Sequence, residues 1–160
     1  MDATNLADRY GTPLIDWTRV ERRLSRGFPQ APGTSGPGRH TCWLATTNAD
    51  GTPHLTGIGA LWASGTFWFE TGATTRKGRN LARDPRCSLS VATDEFDLVV
   101  EGTAGLVDDP AVVAEMAGRC RDPVRTHVTD ARRRRRSPRC TAVTPAQLRT
   151  ASGWPRRGPR

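Results

Sequence analysis

The chain has one tyrosine, two methionines and a single lysine, and no aliphatic run longer than Ala111–Ala114. A bilayer-spanning helix needs about 20 apolar residues in succession, so no membrane-spanning helix is expected. The first ten residues, MDATNLADRY, hold two acidic groups and no apolar stretch behind a basic one, so no secretory signal is legible. A cytoplasmic, reducing location is the expectation, with free thiols. The four cysteines (Cys42, Cys87, Cys120 and Cys140) include no C-x-x-C pair. The three histidines (His40, His54 and His127) stand at no metal-ligand spacing to one another or to a cysteine. A structural zinc site and a disulfide scaffold are therefore not expected. No G-x-G-x-x-G follows a strand pattern, and no G-x-S-x-G nucleophile elbow occurs. The glycine-rich stretch from Phe28 to Arg39 lacks the Lys-Ser/Thr ending of a phosphate loop and reads as a linker.

What is present is unevenly placed. Residues 1–118 carry 11 basic and 14 acidic residues, whereas residues 119–160 carry 13 arginines and two acidic residues. The body is mildly acidic, and the formal net charge of +8 comes from the tail. Of 24 basic residues only Lys77 is a lysine, a bias that reads as a GC-rich gene.

Three parts follow. Residues 1–39 hold a helix opening at Asp16–Glu21, with Thr18 and Glu21 spaced as a capping box, Trp17, Val20 and Leu24 on one face, and Gly27 as its stop. The Pro/Gly linker comes next. Residues 40–118 read as β-β-β-α-β-β, then a helix. The strands are 40–47, 53–62, 66–70, 87–93 and 97–107, with turns at Asn48–Gly51 and Ala63–Gly65. A short helix starts at Thr74–Lys77 and stops near Asp84-Pro85, and Asp108-Asp109-Pro110 opens another. Hairpin connections favour a mostly β protein, an antiparallel barrel or sandwich with an inserted helix, over a doubly wound parallel sheet. Residues 119–160 hold 11 apolar residues among 42 and show no sustained period, so a largely disordered tail is expected.

Chemistry concentrates at Thr74-Thr75-Arg76-Lys77. A capping hydroxyl, free backbone N–H groups and the positive end of a helix dipole make an anion site. Two cations in the first turn oppose the dipole, a conflict that an anionic ligand resolves. The same residues could also form a plain solvated basic face, since Arg79, Arg83 and Arg86 follow. Leu55-Thr56-Gly57-Ile58-Gly59 would let a flat ring lie close to the backbone, although Leu, Ile, Trp62, Phe67, Trp68 and Phe69 are equally core residues. Neither Asp94, Glu95 and Asp97 nor the lone His54 forms an acid–base pair, and no catalytic side chain is assigned. Arg132–Arg136 could bind phosphates, but no aromatic side chain interleaves the run, so a nucleic-acid partner is not expected.

The stretches CWLATTNADGTPHLTGIGALW, FWFETGATTRKGRNLARDPRCSLSV and DLVVEGTA resemble the pyridoxamine 5′-phosphate oxidase-like, FMN-binding split barrels over residues 40–108. The resemblance implies a split β-barrel of Greek-key-like, antiparallel build and a homodimer with flavin at the subunit interface. It implies that Arg76 and Lys77, helped by Thr75, hold the cofactor phosphate. Thr56, Gly57 and Ile58 would run along the ring system, and Phe69 and Glu70 would mark the third strand's contact. FMN is the implied cofactor, with the deazaflavin coenzyme or haem as alternatives. A small-molecule substrate would exchange a hydride with a flavin, whereas a non-catalytic barrel would only hold its ligand. The usual arginine is absent at the Thr56 position, which counts against pyridoxamine phosphate oxidation itself. Members continue with a further strand that completes the barrel. Here an Arg/Pro-rich stretch follows Gly118 instead, and a change of reading frame or a damaged, inactive copy would account for it.

Overall fold

The computed structural model describes residues 2–30, 40–121 and 139–152. The chain order is β1 (Asp2–Asn5), a 3-10 turn (Leu6–Tyr10), α1 (Trp17–Ser25), β2 (Cys42–Thr47), β3 (Pro53–Ile58), β4 (Ala60–Ala63), β5 (Thr66–Thr71), α2 (Arg76–Arg83), β6 (Arg86–Ala92), β7 (Phe96–Val107), α3 (Pro110–Arg121) and β8 (Arg139–Ser152). The strands form one sheet in the order β3-β2-β6-β7-β8-β5-β4, and β1 adds to β8 in parallel. All other ladders are antiparallel.

The expected second strand, 53–62, is two strands broken at Gly59, and they lie at opposite ends of the sheet. Seven strands laid flat at the usual spacing would stretch about 29 Å from first to last. Yet Ile58 and Ala60 are separated by one residue, which spans about 7 Å at most. The sheet must therefore curl until its edges meet. Leu24, Leu44, Phe67, Phe69, Leu89, Leu98 and Val100 fill the resulting interior.

Local signals explain the turns. Ser64 and Gly65 both take positive φ (52° and 71°), the two-residue hairpin geometry that matches strand twist. Gly51, at φ 84°, ends the β2–β3 turn. Asp109 Oδ1 accepts the N–H groups of Ala111 (2.8 Å) and Val112 (3.4 Å) and so caps α3. For α1 the cap is Asp16, whose carboxylate accepts the Thr18 N–H at 3.1 Å, and not Thr18. Val20 and Leu24 bury α1 against the core, and Trp17 meets Trp62 edge-on at 6.1 Å.

The linker begins later than the composition suggests. Phe28 is buried, and the Gln30 amide both donates to Ala60 O (2.7 Å) and accepts from Ala60 N–H (2.8 Å). This side chain stands in for a paired strand beside the Gly59 break. Residues 31–39 lie outside the described residues, as do 122–138, with Arg132–Arg136, and 153–160.

Residues 139–152 depart from the expectation of a largely disordered tail. They form the longest strand described, β8, paired to β7 along nearly its whole length and to β5 along its first five residues. The reason is local composition. The strand holds only two of the tail's arginines, and its Thr-Ala-Val-Thr segment suits a pleated sheet. Pro145, which cannot donate to a ladder, falls at the one register irregularity of the β7–β8 pairing, between Glu101 and Gly102. Averaging over 42 residues hid a strand of 14.

A chain terminated after residue 138 loses the strand that joins β7 to β5. It is expected to show no cooperative urea transition and no near-UV circular dichroism. A cooperative transition retained by that truncated chain would show β8 to be dispensable.

Candidate functional site

The helix α2 is polar almost throughout (RKGRNLAR), and its start is built by a web of short contacts. Thr75 caps it: its hydroxyl accepts the Gly78 N–H at 3.1 Å and donates to Gly72 O at 2.8 Å. A second oxygen, Thr71 Oγ1, lies 2.9 Å away. A hydroxyl has one proton, and that of Thr75 is committed to Gly72, so Thr71 donates to Thr75. Thr75 thus shapes the turn and has no proton left to offer an anion. The backbone N–H groups of Arg76 and Lys77, at the first two helical positions, have no acceptor among the described residues. The Arg76 side chain is exposed and that of Lys77 half-buried, and neither makes an ion pair among the described residues.

Gly78 is required by contact. A Cβ there would lie 2.3 Å from the Gly72 carbonyl oxygen, a backbone atom that cannot swing aside. The helix start packs so closely on the 72–75 turn that no side chain fits between them.

Further along, α2 is latched to the β2–β3 hairpin. The Asn80 amide donates to Thr46 Oγ1 and to Asn48 Oδ1, each at 3.1 Å, and the Arg83 guanidinium donates to Thr47 O. Arg76 lies one turn before Asn80 on the same face, which turns it toward that hairpin. Asp50, in the hairpin turn, feels it. Hydrogen bonds from Thr52 are the main cause of its lowered pKa, and the Arg76 charge adds to them. Beyond the helix, Arg86 grips Asp84 through Nε (2.9 Å) and Nη2 (2.8 Å) and pulls its carboxyl down to about 2.

The other expected residues divide in two. Thr56 and Ile58 are half-buried on the β3 face that pairs across to Leu44 and Cys42, next to Thr46, where α2 sits. Gly57 faces the opposite way. A Cβ on Gly57 would meet only ordinary contacts, the nearest 3.5 Å away, and one on Gly59 would meet nothing within 4 Å. Packing does not demand these glycines. Since β3 is an outer strand of the sheet, half of its backbone groups have no strand partner. On β5, Phe69 is 1% exposed, its ring belongs to the core and its backbone is laddered to Ala60 on one side and Thr141 on the other, while Glu70 is exposed. Thr71, Gly78, Asn80 and Asn48 were not foreseen. Gly78 and Asn80 carried a signal, as poor helix formers inside an eight-residue helix, whereas Thr71 and Asn48 carried none.

A groove of about 730 Å³ is lined by Thr46, Thr47, Asp84, Arg86 and Glu101, and not by Arg76 or Lys77. The two buried thiols are unsuited to nucleophilic work: burial pushes Cys42 up to about 12 and Cys87 up to about 11. No group of His, Cys, Asp and Glu among the described residues could hold a metal ion. No helix among them is long and apolar enough to cross a membrane.

A curled antiparallel sheet whose end strands are joined by one residue defines a split β-barrel. The chain belongs to the pyridoxamine 5′-phosphate oxidase family, whose model matches residues 36–151. That span takes in β8 and runs past residue 118. Among solved structures, the conserved hypothetical protein Rv2991 from Mycobacterium tuberculosis is similar, with TM-score 0.69 and 21% identity over 92% of this chain and 93% of that one. An F420 reductase is similar with TM-score 0.57 and 22% identity over 68% of this chain and 87% of that one. The heme storage protein HutZ from Vibrio cholerae is similar with TM-score 0.56 and 16% identity over 84% and 94%. No curated protein matches the chain significantly.

Replacing Gly78 by alanine would ordinarily favour a helix by about 1 kcal/mol. Here the clash with Gly72 reverses the sign, and Gly78→Ala is expected to destabilise the fold by about 1–3 kcal/mol. Urea denaturation midpoints measure it, and a stabilised variant would refute the contact.

Proposed function

We propose that the protein binds FMN and uses it as the hydride carrier of an oxidoreductase acting on a small molecule, as a homodimer in the cytoplasm. One observation carries this reading. The start of α2 presents two unpaired backbone N–H groups together with Arg76 and Lys77, cations that oppose the helix dipole and have no acidic ion-pair partner among the described residues. Such a turn is stabilised by an anion of high charge, and a phosphate monoester supplies one. Arg76 and Lys77 would hold it by charge-assisted hydrogen bonds, with the turn shaped by Thr75. The chain's outer strand β3 fits the rest of the group. Space is open over Gly59, and the unpaired backbone edge near Thr56, Gly57 and Ile58 can hydrogen-bond a flat heterocycle. The exposed Glu70 stands beside Thr71 at the end of β5 from which the α2 turn starts.

When bound, the flavin supplies the hydride chemistry, and the protein's part is to orient it and exclude water. No side chain is assigned as nucleophile or acid.

The deazaflavin coenzyme is the first alternative. It also carries a phosphate, and one similar structure is an F420 reductase. Haem held without turnover is the second, in keeping with the likeness to a heme storage protein.

A dimer is supported by the outer face of the sheet. Trp43 is 45% exposed and Leu55 62% exposed, large apolar side chains set among small neighbours. Across the ladders Trp43 faces Gly57 and Ser90, and Ala45 separates Leu55 from Ser88. A flat apolar patch of this kind is typical of a surface covered by a partner.

Two measurements test the reading. Titration of the protein with FMN, followed by flavin fluorescence, is expected to saturate, and Lys77→Ala to weaken binding about ten-fold by removing a contact worth roughly 1.5 kcal/mol. Binding unaffected by that substitution would refute the phosphate site. Saturation by the deazaflavin coenzyme alone, or a Soret band with haem alone, would select an alternative. Light scattering is expected to give twice the 17.5 kDa of one chain, and Trp43→Glu to give single chains.

A further inference from the structure

We infer that Asn80 is a positioning residue: it fixes the distance between the anion site on α2 and the outer strand β3, so that one ligand can reach both. The inference rests on the proposed flavin-phosphate site and adds to it what sets its span.

Asn80 is the one buried residue of α2, at 4% exposure. A short helix is usually seated by apolar side chains, whose attraction is non-directional and tolerates sliding. Here the only apolar side chain packed on the main core is Leu81, and it is partly buried. The seating is done by an amide. Both Asn80 donors are used, one on Thr46 Oγ1 in β2 and one on Asn48 Oδ1 in the hairpin turn, each at 3.1 Å. Hydrogen bonds of that length hold their partners to within a few tenths of an ångström and weaken steeply when bent.

The chain of contacts continues toward β3. Asn48 donates through Nδ2 to Thr52 Oγ1 (3.0 Å), and its backbone N–H donates to Thr52 O (2.8 Å). Thr52 in turn donates to Asp50 Oδ1 at 2.6 Å. The next residue, Pro53, begins β3. At the other end, Arg76 precedes Asn80 by one helical turn. Asn80 is therefore the node between the cations that would meet a phosphate and the strand that would meet a ring.

A ligand with two tethered groups gains affinity from both only when the sites stand at the span of the ligand. Loosening the node should therefore cost the two-ended ligand more than a one-ended one. FMN and riboflavin are such a pair, differing by the phosphate alone.

The test measures dissociation constants of both flavins for the wild-type chain, Asn80→Ala and Asn48→Ala. The second variant cuts the bridge at its hairpin end and leaves the Asn80–Thr46 bond in place, so it serves if the first fails to fold. The riboflavin-to-FMN ratio of dissociation constants is expected to fall about five-fold or more in both variants, with riboflavin affinity changed by less than about two-fold. Equal weakening of both flavins means that Asn80 merely holds the fold together, and it overturns the inference. So does an unchanged ratio with unchanged affinities. If the wild-type chain binds neither flavin saturably, the underlying site assignment falls and this inference with it. That outcome is distinct from wild-type binding with a ratio that the variants do not move.

Discussion

Gly59 joins the two outermost strands of the sheet, and that single-residue link dictates the shape around it. A seven-strand path cannot lie flat when its ends are one residue apart. Curling draws Phe67, Phe69, Leu89 and Leu98 inward to a common interior and leaves two unpaired edges side by side at the split. The protein manages that exposed backbone locally. The Gln30 side chain occupies both polar groups of Ala60, and β3 keeps its outer edge open. In a barrel closed by hydrogen bonds there would be no such edge to offer a ligand.

The candidate site depends on this geometry because its parts come from distant points of the curl. The proposed phosphate end would be made by the turn between β5 and α2, and the proposed ring end by β3, at the opposite end of the strand path from β4 and β5. The polar contacts of Asn80 and Arg83 bring α2 across to the β2–β3 hairpin. Hydrogen bonding, and not apolar burial, sets that junction. It is specific for the same reason that it is vulnerable, since each buried polar group left unpaired costs on the order of 1–3 kcal/mol.

Much of the fold and part of the site were legible in the residues. Turn chemistry at Asn48–Gly51 and Ser64-Gly65, and the helix starts at Thr75 and Asp109, act through local rules and fall where those rules put them. Periodicity could not see the break at Gly59, because Pro53–Ile58 and Ala60–Ala63 read as one extended run and only the topology sends them apart. Nor could it separate Phe69, whose ring is core, from its neighbours, because an aromatic in a strand looks alike in either role. The last strand was hidden by arithmetic: arginines counted over the whole tail masked a segment with β-branched residues of its own. Asn80 stood in the quoted motif, but a buried amide declares its partners only once the hairpin is folded beside it.

The placement of β8 also bears on how this protein comes into being. Its partners are β7, β5 and the parallel β1, so residues near the start of the chain are hydrogen-bonded to residues near position 150. Until that strand leaves the ribosome, β7 and β5 have each lost a neighbour and β1 has none. The nascent chain must therefore wait, with its hairpins formed but their shared flank bare, until Arg139–Ser152 has been made. Such long-range closure slows folding and exposes strand edges while it is pending. Cells that express the protein at high rate meet the hazard during synthesis, before any stability of the finished barrel can protect it.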